Sequence, residues 1–333
     1  MLTKATVVGT GAMGTVVAQL LASNGVHVAL LARDTQRVSA LLTEHENRRH
    51  LPGLRLSERI TPTSQPDGAF AHTELVVSAV PSQFLRESWG RLAPHVPTGV
   101  PICSVTKGLA TDSLERPSEI IQSVAPASPV AVLSGPSIAP ELARCLPATV
   151  VVACSDTAVA QLVQNVMSTS WFRIYTNTDV LGVELAGALK NVIALAAGIL
   201  DGLRAGDNAK AALLTRGLVE ITRLGVALGS RAETFGGLAG VGDLVTTCVS
   251  PVGRNRSAGE RIGRGVSPQR VVEESDAVIE GIPTTRAVLR LSEKHGVEMP
   301  ITRAVYEVLF EQKSPIAAIT ELMSRPPKSE ERC

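Results

Sequence analysis

A glycine pattern near the start of the chain constrains its fold more than any other feature. Residues 9–14 read GTGAMG, which fits GxGxxG, and they directly follow the β-rich run Ala5–Val8. A helical stretch, Ala12–Ser23, comes next, and Val26 begins another β-rich run. In such a unit the first glycine permits a tight turn, the second admits a pyrophosphate and the third lets helix and strand approach. The pattern therefore predicts that a dinucleotide is bound at the N-terminus of the helix by Gly9, Gly11 and Gly14.

The first half of the chain alternates short β-rich runs with helical stretches. Several of these runs are continuously apolar, which is typical of strands covered on both faces in a parallel sheet. The predicted strands are Ala5–Val8, Val26–Ala32, Leu75–Val80, Pro101–Val105, Val130–Leu133, Thr149–Ala153 and Phe172–Tyr175. Repeated βαβ units of this kind predict an α/β fold with a Rossmann-type, doubly wound sheet.

From about Asp179 onward, Ala, Leu, Gly and Val recur at helical spacing and no convincing strand is found. The predicted helices are Val180–Leu203, Asn208–Leu228, Arg256–Arg264, Pro268–Glu274, Pro283–His295, Ile301–Phe310 and Pro315–Met323. We therefore expect two domains. A dinucleotide-binding domain would cover residues 1–178, and an all-α substrate and catalytic domain would cover residues 179–333.

Composition narrows the range of partners and locations. A formal net charge of +1 and an aromatic content of 3% give little field or stacking surface for nucleic acid. Five cysteines without a CxxC pair fit a reducing compartment, and no signal peptide is recognisable, so a cytoplasmic protein is expected. Val180–Leu200 is long enough to span a membrane, but Glu184 and Lys190 interrupt it, which favours a buried core helix. No metal is expected, because no His, Cys and Asp cluster has ligand spacing.

The second predicted strand is followed by Arg33 and Asp34, about where NAD enzymes place a carboxylate for the ribose hydroxyls. Arg33 is instead suited to the 2′-phosphate of NADP. We therefore expect NADP(H) as cofactor with NAD(H) tolerated. The alternative is that Arg33 is a solvated charge at the end of a strand.

Two further clusters follow predicted strands. Lys107 comes after Pro101–Val105, and the sequence SGPS, with Gly135 and Ser137, comes after Val130–Leu133. Ligands of open α/β sheets bind in the crevice at the carboxyl ends of the strands, so these residues are candidates for substrate binding. Either cluster is also compatible with a plain turn.

Lys190 lies inside the most apolar helix of the chain. Its neighbours at helical spacing are Ala186, Gly187, Ile193, Ala194 and Ala197. All but Ile193 are small, which leaves room for another group beside the lysine. Buried lysines are rarely unpaired, and desolvation lowers the pKa of a lysine ammonium toward the range useful for proton transfer. Lys190 is therefore a candidate proton carrier, with a structural ion pair or a snorkelling lysine as the alternative.

Two polar loops complete the set of candidates. Residues 236–243 read GGLAGVGD, which is too rich in glycine for a helix interior and predicts a tight loop delivering Asp243. Residues 250–256 read SPVGRNR, where Arg254 and Asn255 precede a helix and suit phosphate recognition. A solvated basic loop is the alternative for the second segment.

Together these residues resemble the bacterial NAD(P)-dependent glycerol-3-phosphate dehydrogenase family over nearly the whole chain. The matching stretches are GTGAMGT, TKGL, SGPSIAPEL, LAGALKNVIALAAG, GLAGVGDLVTTC, GRNRS, VIEG and GVEMPIT. The resemblance implies that the cofactor is contacted by Ala12, Met13, Arg33, Lys107, Ala139, Arg254, Val278 and Glu280. It implies that the substrate is contacted by Lys107, Gly135, Ser137, Lys190, Asp243, Gly253, Arg254 and Asn255.

This family reduces dihydroxyacetone phosphate to sn-glycerol 3-phosphate for phospholipid synthesis. The resemblance implies that Lys190 exchanges the proton of the C2 hydroxyl. We expect Lys107 to help polarise the carbonyl and Asp243 to orient Lys190 or a substrate hydroxyl. The position before Arg254 is usually serine in the family and is Gly253 here, so one side-chain hydroxyl is missing from the expected phosphate site.

As partners, we expect a small phosphorylated substrate and a second copy of the chain in a homodimer.

Two other functions remain open at this point. A β-hydroxyacid dehydrogenase also joins a dinucleotide domain to a helical one, but those families place Asn one turn after the lysine, where this chain has Ala194. A dinucleotide-sensing regulator without catalysis is the other alternative. The presence of Lys107, Lys190 and Asp243 argues against it.

Overall fold

The computed structural model of the chain describes residues 2–275, 278–327 and 329–330. The chain divides into a sheet unit, comprising residues 1–107 and 116–180, and a helical unit, comprising residues 108–115 and 181–333. The sequence did not predict that segment 108–115 would belong to the helical unit. Within that unit the Arg290 guanidinium donates to the carbonyl oxygens of Thr111 at 2.6 Å and Asp112 at 3.4 Å. These bonds tie the segment to a helix that lies far along the chain.

The sheet unit contains eight strands in the order β3-β2-β1-β4-β5-β6-β7-β8. They are β1 Lys4–Val8, β2 His27–Leu31, β3 Ile60–Thr63, β4 Leu75–Ser78, β5 Ile102–Ser104, β6 Val130–Ser134, β7 Ala148–Ala153 and β8 Phe172–Asn177. Neighbouring strands pair in parallel except β6 and β7, which pair antiparallel. The predicted Rossmann-type sheet is confirmed, and the antiparallel pair departs from the all-parallel arrangement expected from sequence.

Strand β3 was not predicted from the sequence. It reads ITPT, and a proline within a short run argues against a strand because it has no N–H for the ladder. The position of the strand in the sheet explains why it forms despite the proline. Strand β3 lies at the edge of the sheet, where a proline is tolerated.

Seven α-helices accompany the described strands of the sheet unit. They are α1 Ala12–Ser23, α2 Thr35–Glu44, α3 Pro66–Phe70, α4 Ser82–Leu92, α5 Pro117–Val124, α6 Ala139–Ala143 and α7 Thr157–Met167. Four consecutive residues of the central strand β4 are fully buried. Successive side chains of a strand point to opposite faces, so both faces of the sheet are covered there. This is the reason that the predicted strands read as continuous apolar runs.

The rest of the chain is helical. Its helices are α8 Val180–Leu203, α9 Asp207–Ala227, α10 Ala232–Phe235, α11 Asp243–Val249, α12 Arg254–Gly263, α13 Pro268–Glu273, α14 Gly281–Lys294, α15 Pro300–Phe310 and α16 Pro315–Ser324. Every predicted helix is present, and no strand occurs among the described residues of this unit. The predicted all-α character of the C-terminal region is confirmed. The short helices α10 and α11 were not predicted.

Helix α8 is long and apolar enough to cross a membrane by length and composition alone. However, 94% of its most apolar window is buried within the protein. Its side chains therefore contact neighbouring helices, and α8 is the buried core helix that the sequence predicted.

Four glycines bring α8 and α12 to backbone contact. A methyl group on Gly198 of α8 would lie 1.9 Å from the nearest carbonyl oxygen of α12, and one on Gly202 would lie 2.3 Å from another. Methyl groups on Gly259 and Gly263 of α12 would lie 2.1 and 2.4 Å from carbonyl oxygens of α8. Residues four apart share one helix face, so each helix offers a continuous strip without side chains. This contact fixes the start of α12 relative to α8.

Candidate functional site

The glycine pattern forms the turn between β1 and α1. Gly9 has φ +106°, and a methyl group there would lie 2.8 Å from the carbonyl oxygen of Ala79. A methyl group on Gly14 would lie 2.0 Å from the carbonyl oxygen of Gly9, whereas one on Gly11 would meet nothing within 4 Å. The first and third glycines are therefore packed against the protein, and the second faces open space. That is the arrangement that a pyrophosphate beside the turn requires.

The first turn of α1 offers its backbone N–H groups without a competing side chain. Gly11 is the N-cap residue, it makes no side-chain cap hydrogen bond, and the first turn contains no acidic residue. Uncapped N–H groups and the helix dipole together favour an anion. Ala12 and Met13, both partly buried, form the start of this turn. The residues present therefore fit the dinucleotide that the sequence predicts.

Asn47, which was not identified from the sequence, supports this turn through two hydrogen bonds. Its Nδ2 donates to the carbonyl oxygen of Thr10 at 2.8 Å and to Oγ1 of Thr15 at 2.7 Å. The Thr15 hydroxyl in turn donates to the carbonyl oxygen of Gly11 at 3.0 Å. Asn47 is 6% exposed, so these bonds are protected from water. A buried amide thus fixes the backbone on which a pyrophosphate would rest.

Arg33 lies just beyond β2, as the sequence predicted, with its side chain 72% exposed. The neighbouring Asp34 is the N-cap of α2, and its side chain accepts from the backbone N–H of Arg37 at 2.9 Å. That hydrogen bond is the main reason that the pKa of Asp34 lies below its usual value, and the two nearby arginines lower it further.

Lys107, Gly135 and Ser137 come together in the sheet unit. The Lys107 ammonium donates to the carbonyl oxygen of Gly135 at 3.0 Å and to the hydroxyl of Ser137 at 3.3 Å. Gly135 has φ +127°, a left-handed conformation that favours glycine, and a methyl group there would lie 3.0 Å from the Cα of Val150. Ala139 begins α6 two residues after Ser137. These residues follow β5 and β6, where the strand pattern predicted a ligand crevice.

Lys190 is paired deep inside the helical unit. Its ammonium donates to Oδ1 of Asp243 at 2.5 Å and to Oγ1 of Thr247 at 2.5 Å. Lys190 is 5% exposed and Asp243 is 2% exposed, so the pair is shielded from solvent. Small side chains surround it on α8 as predicted, and Ala186 and Ala194 are fully buried.

A turn of π-helix places Asp243 beside Lys190. Residues 238–242 form that turn, and a methyl group on Gly240 would lie 1.9 Å from the carbonyl oxygen of Phe235. Asp243 then begins α11, and Thr247 follows one helical turn later on the same face. The predicted loop is therefore a glycine-dependent helical turn. The i, i+4 spacing of Asp243 and Thr247 was the signal that could have identified Thr247.

Asn255 links three helices of the helical unit. Its Nδ2 donates to Oδ1 of Asn191 on α8 at 2.9 Å, and its Oδ1 accepts from the N–H of Gly281 on α14 at 2.9 Å. Asn191 follows Lys190 directly, so the bond ties the start of α12 to the lysine's own helix turn. The nitrogen and the oxygen of the Asn255 side-chain amide therefore each form a hydrogen bond within the protein.

Around Asn255 lie the other residues that the resemblance implied in this unit. Arg254 is exposed, and its guanidinium donates to the carbonyl oxygen of Val278 at 2.9 Å. Glu280 is the N-cap residue of α14. Gly253 is the N-cap of α12 and makes no side-chain cap bond. Among the described residues, no group of three or more His, Cys, Asp or Glu side chains is arranged to hold a metal ion.

A Rossmann-type sheet with a dinucleotide turn, followed by a helical unit with a buried lysine–carboxylate pair, defines the class of nicotinamide-dependent dehydrogenases. Within it, the family model for the NAD-dependent glycerol-3-phosphate dehydrogenase N-terminus matches residues 4–160, and the model for the C-terminus matches residues 179–320. The chain belongs to the NAD-dependent glycerol-3-phosphate dehydrogenase family.

Individual relatives agree over the full length. Glycerol-3-phosphate dehydrogenase [NAD(P)+] of Streptomyces griseus is 46% identical, with 99% of this chain and 98% of the relative covered. The protein of the same name from Chlorobium phaeobacteroides is 48% identical over 98% and 99%. The crystal structure of glycerol-3-phosphate dehydrogenase from Coxiella burnetii superposes with a TM-score of 0.94 at 36% identity, covering 97% and 99% of the two chains.

Proposed function

We propose that this protein interconverts dihydroxyacetone phosphate and sn-glycerol 3-phosphate with NADP(H), and with NAD(H) as a weaker alternative. One observation carries the proposal. The buried Lys190–Asp243–Thr247 cluster lies in a chain whose relatives are named glycerol-3-phosphate dehydrogenases. The sheet unit would bind the dinucleotide, and the helical unit would supply the residues that bind and protonate the substrate.

The nicotinamide ring, when bound, supplies or accepts the hydride at C2 of the substrate. Lys190 carries the accompanying proton at Nζ. During reduction it gives that proton to the carbonyl oxygen, which becomes the C2 hydroxyl, and during oxidation it takes the proton back. Asp243 and Thr247 hold Nζ in place, because each accepts one of its hydrogen bonds.

Lys107 is proposed to act beside the substrate carbonyl. Gly135 and Ser137 hold its ammonium at the end of the strands, and a cation there would polarise a carbonyl oxygen. Arg254 and the N-terminus of α12 are proposed to bind the substrate phosphate. Gly253 leaves that N-terminus without a side-chain cap, and Asn255 supports it by bonding α8 and α14.

The test is to follow absorbance of NADPH and of NADH with dihydroxyacetone phosphate as substrate. Rapid oxidation of NADPH, slower oxidation of NADH and very poor use of unphosphorylated dihydroxyacetone are expected. Loss of a remote phosphate should reduce kcat as well as raise KM, because its binding energy positions the reacting carbon. Equal kcat/KM for the two ketones would overturn the proposal.

We also propose that the protein works in the cytoplasm to supply glycerophospholipid synthesis. The family membership supports this role. Depletion of the protein in its host should therefore make growth depend on added glycerol 3-phosphate. Unchanged growth and lipid content after depletion would contradict the role.

A homodimer is the proposed assembly. A groove of about 860 Å³ lies in the helical unit. Its lining is mainly apolar and includes Leu200, Leu213, Ile319 and Leu322, with charged side chains such as Arg216 and Arg223 beside them. Helix α16, which borders it, buries only Ala318. A surface groove lined mainly by apolar side chains is typical of a protein interface.

The groove gives a direct test of the assembly. Ile319→Arg should shift a dimer toward monomer in light scattering, since it puts a charge into the groove. Val272→Arg is the matched control, because Val272 is an apolar residue of α13 that is 50% exposed and does not line the groove. A monomeric parent protein would contradict the proposal.

A further inference from the structure

Two arginines, not one, flank the carboxylate that follows β2. Oδ2 of Asp34 lies 3.5 Å from Nε of Arg33 and 3.5 Å from Nε of Arg37. The Asp34 side chain also accepts the backbone N–H of Arg37 through Oδ1 and so caps α2. The three side chains together carry a net positive charge.

This arrangement changes what Asp34 can offer to a dinucleotide. In NAD enzymes a carboxylate near this position accepts hydrogen bonds from the ribose hydroxyls. Here one oxygen of Asp34 is bonded to the helix backbone and the other lies between two guanidinium groups. Turning the carboxylate toward a ribose would give up the N-cap hydrogen bond that stabilises α2. The residue best placed for ribose is therefore engaged in holding the two cations.

We propose that Arg37 is a second specificity-determining residue, which binds the adenosine 2′-phosphate of NADP(H) together with Arg33. This inference rests on the proposed function, and it adds a residue that neither the sequence pattern nor the family resemblance indicated. Arg37 lies in the first turn of α2, and its side chain is 30% exposed, compared with 72% for Arg33. Arg37 is therefore the more enclosed of the two arginines, and Arg33 is the more exposed.

The chemistry of the guanidinium group supports a role for Arg37 in phosphate binding beside Arg33. Arginine has five N–H donors in a planar fork, so contact of Nε with Asp34 leaves the terminal nitrogens for a phosphate. Asp34 then acts as a positioning residue, which keeps two like charges close together and orients them. A purely structural Arg37, which only supported α2, would affect NADP(H) and NAD(H) equally.

The first experiment measures binding without turnover. Adenosine 2′,5′-bisphosphate and AMP are titrated by calorimetry into the parent protein and into Arg37→Ala, Arg33→Ala and Arg48→Ala. Arg48 is the matched control, because it is a 66% exposed arginine near the end of α2 that pairs with Glu44 and Glu46. Arg37→Ala and Arg33→Ala should each weaken the bisphosphate by about tenfold or more and leave AMP nearly unchanged. Arg48→Ala should change neither ligand.

The second experiment uses the enzyme reaction. Arg37→Ala should raise KM for NADPH by about tenfold with little change in KM for NADH. The KM of Arg37→Lys for NADPH should lie between those of the parent and Arg37→Ala, because lysine keeps the positive charge but lacks the planar set of N–H donors. Equal losses for both coenzymes, or no loss with NADPH, would overturn the role of Arg37. Failure of the parent protein to reduce dihydroxyacetone phosphate would instead overturn the proposed function, since the calorimetric result is independent of turnover.

Discussion

The side-chain amide of Asn255 donates to Oδ1 of Asn191 at 2.9 Å, across two helices that touch through glycine backbones. This bond connects the first turn of α12 to the residue beside Lys190. The side chains proposed to bind the substrate phosphate on α12 and the proton carrier Lys190 on α8 are thus linked by this hydrogen bond.

Asn191→Ala should weaken substrate binding through Asn255, although Asn191 is not itself a proposed substrate ligand. The variant leaves the Asn255 amide without its buried acceptor, which costs about 1–3 kcal/mol of folding free energy. KM for dihydroxyacetone phosphate should rise several-fold while KM for NADPH stays constant. Steady-state kinetics with each substrate varied, together with thermal unfolding, check this. A parallel rise in both KM values would contradict it.

Lys190→Met should lower kcat by about 10²–10⁴-fold, the usual contribution of a positioned acid or base. It should also lower stability by about 3–5 kcal/mol, because Asp243 would be left as a buried carboxylate without its ammonium partner. Lys190→Met combined with Asp243→Asn should recover much of the stability and none of the activity. Unfolding curves and kcat measurements on the single and double variants separate the two effects. A folded Lys190→Met protein with more than about a tenth of parental kcat would exclude Lys190 as the proton carrier.

Asn47→Ala should weaken both coenzymes by the same factor. Asn47 supports the carbonyl of Thr10 and the hydroxyl of Thr15, so its loss loosens the turn that every dinucleotide shares. Fluorescence titration with NADPH and NADH measures the two dissociation constants. This result should contrast with Arg37→Ala, which acts on NADPH alone. A selective loss of NADPH in Asn47→Ala would show that the residue acts through the adenosine phosphate.

Gly198→Ala should destabilise the protein by about 3 kcal/mol or more, since backbone atoms that cannot rotate away must move apart. The added methyl group would lie 1.9 Å from a carbonyl oxygen of α12. Gly90→Ala is the control: it also replaces a helix-interior glycine, but a methyl group there meets nothing within 4 Å. It should raise stability by about 0.5–1 kcal/mol. Thermal unfolding of both variants provides the measurement, and equal shifts would contradict the close contact.

The cysteines should differ sharply in reactivity. Burial raises the pKa of the Cys103 and Cys248 thiols to about 12, and it also raises the pKa of Cys154. The thiolate is the reactive form, so these three should resist a disulfide reagent at about pH 8 until the protein unfolds. Cys145 is exposed and should react at once. The assay needs a Cys333→Ser background, because Cys333 lies outside the described residues, and rapid labelling of more than one thiol would contradict it.

The sequence by itself determined those features that depend on local spacing. The glycine pattern after β1, the apolar runs of the buried strands and the helical period after residue 179 each follow from a few neighbouring residues. Lys190 was also identifiable, because a charge within the most apolar helix of the chain needs a partner. What that partner was, however, could not be read from its own segment.

Only the tertiary structure decided which distant residues meet. Thr247 lies 57 residues from Lys190, Asn255 lies 64 residues from Asn191, and Asn47 lies 37 residues from Thr10. Helical and strand periods show which side of an element is buried, and they carry no information on what packs against it. Segment 108–115 joins the helical unit and β6 pairs antiparallel with β7 for the same reason: long-range packing selects these arrangements, and no local pattern encodes them.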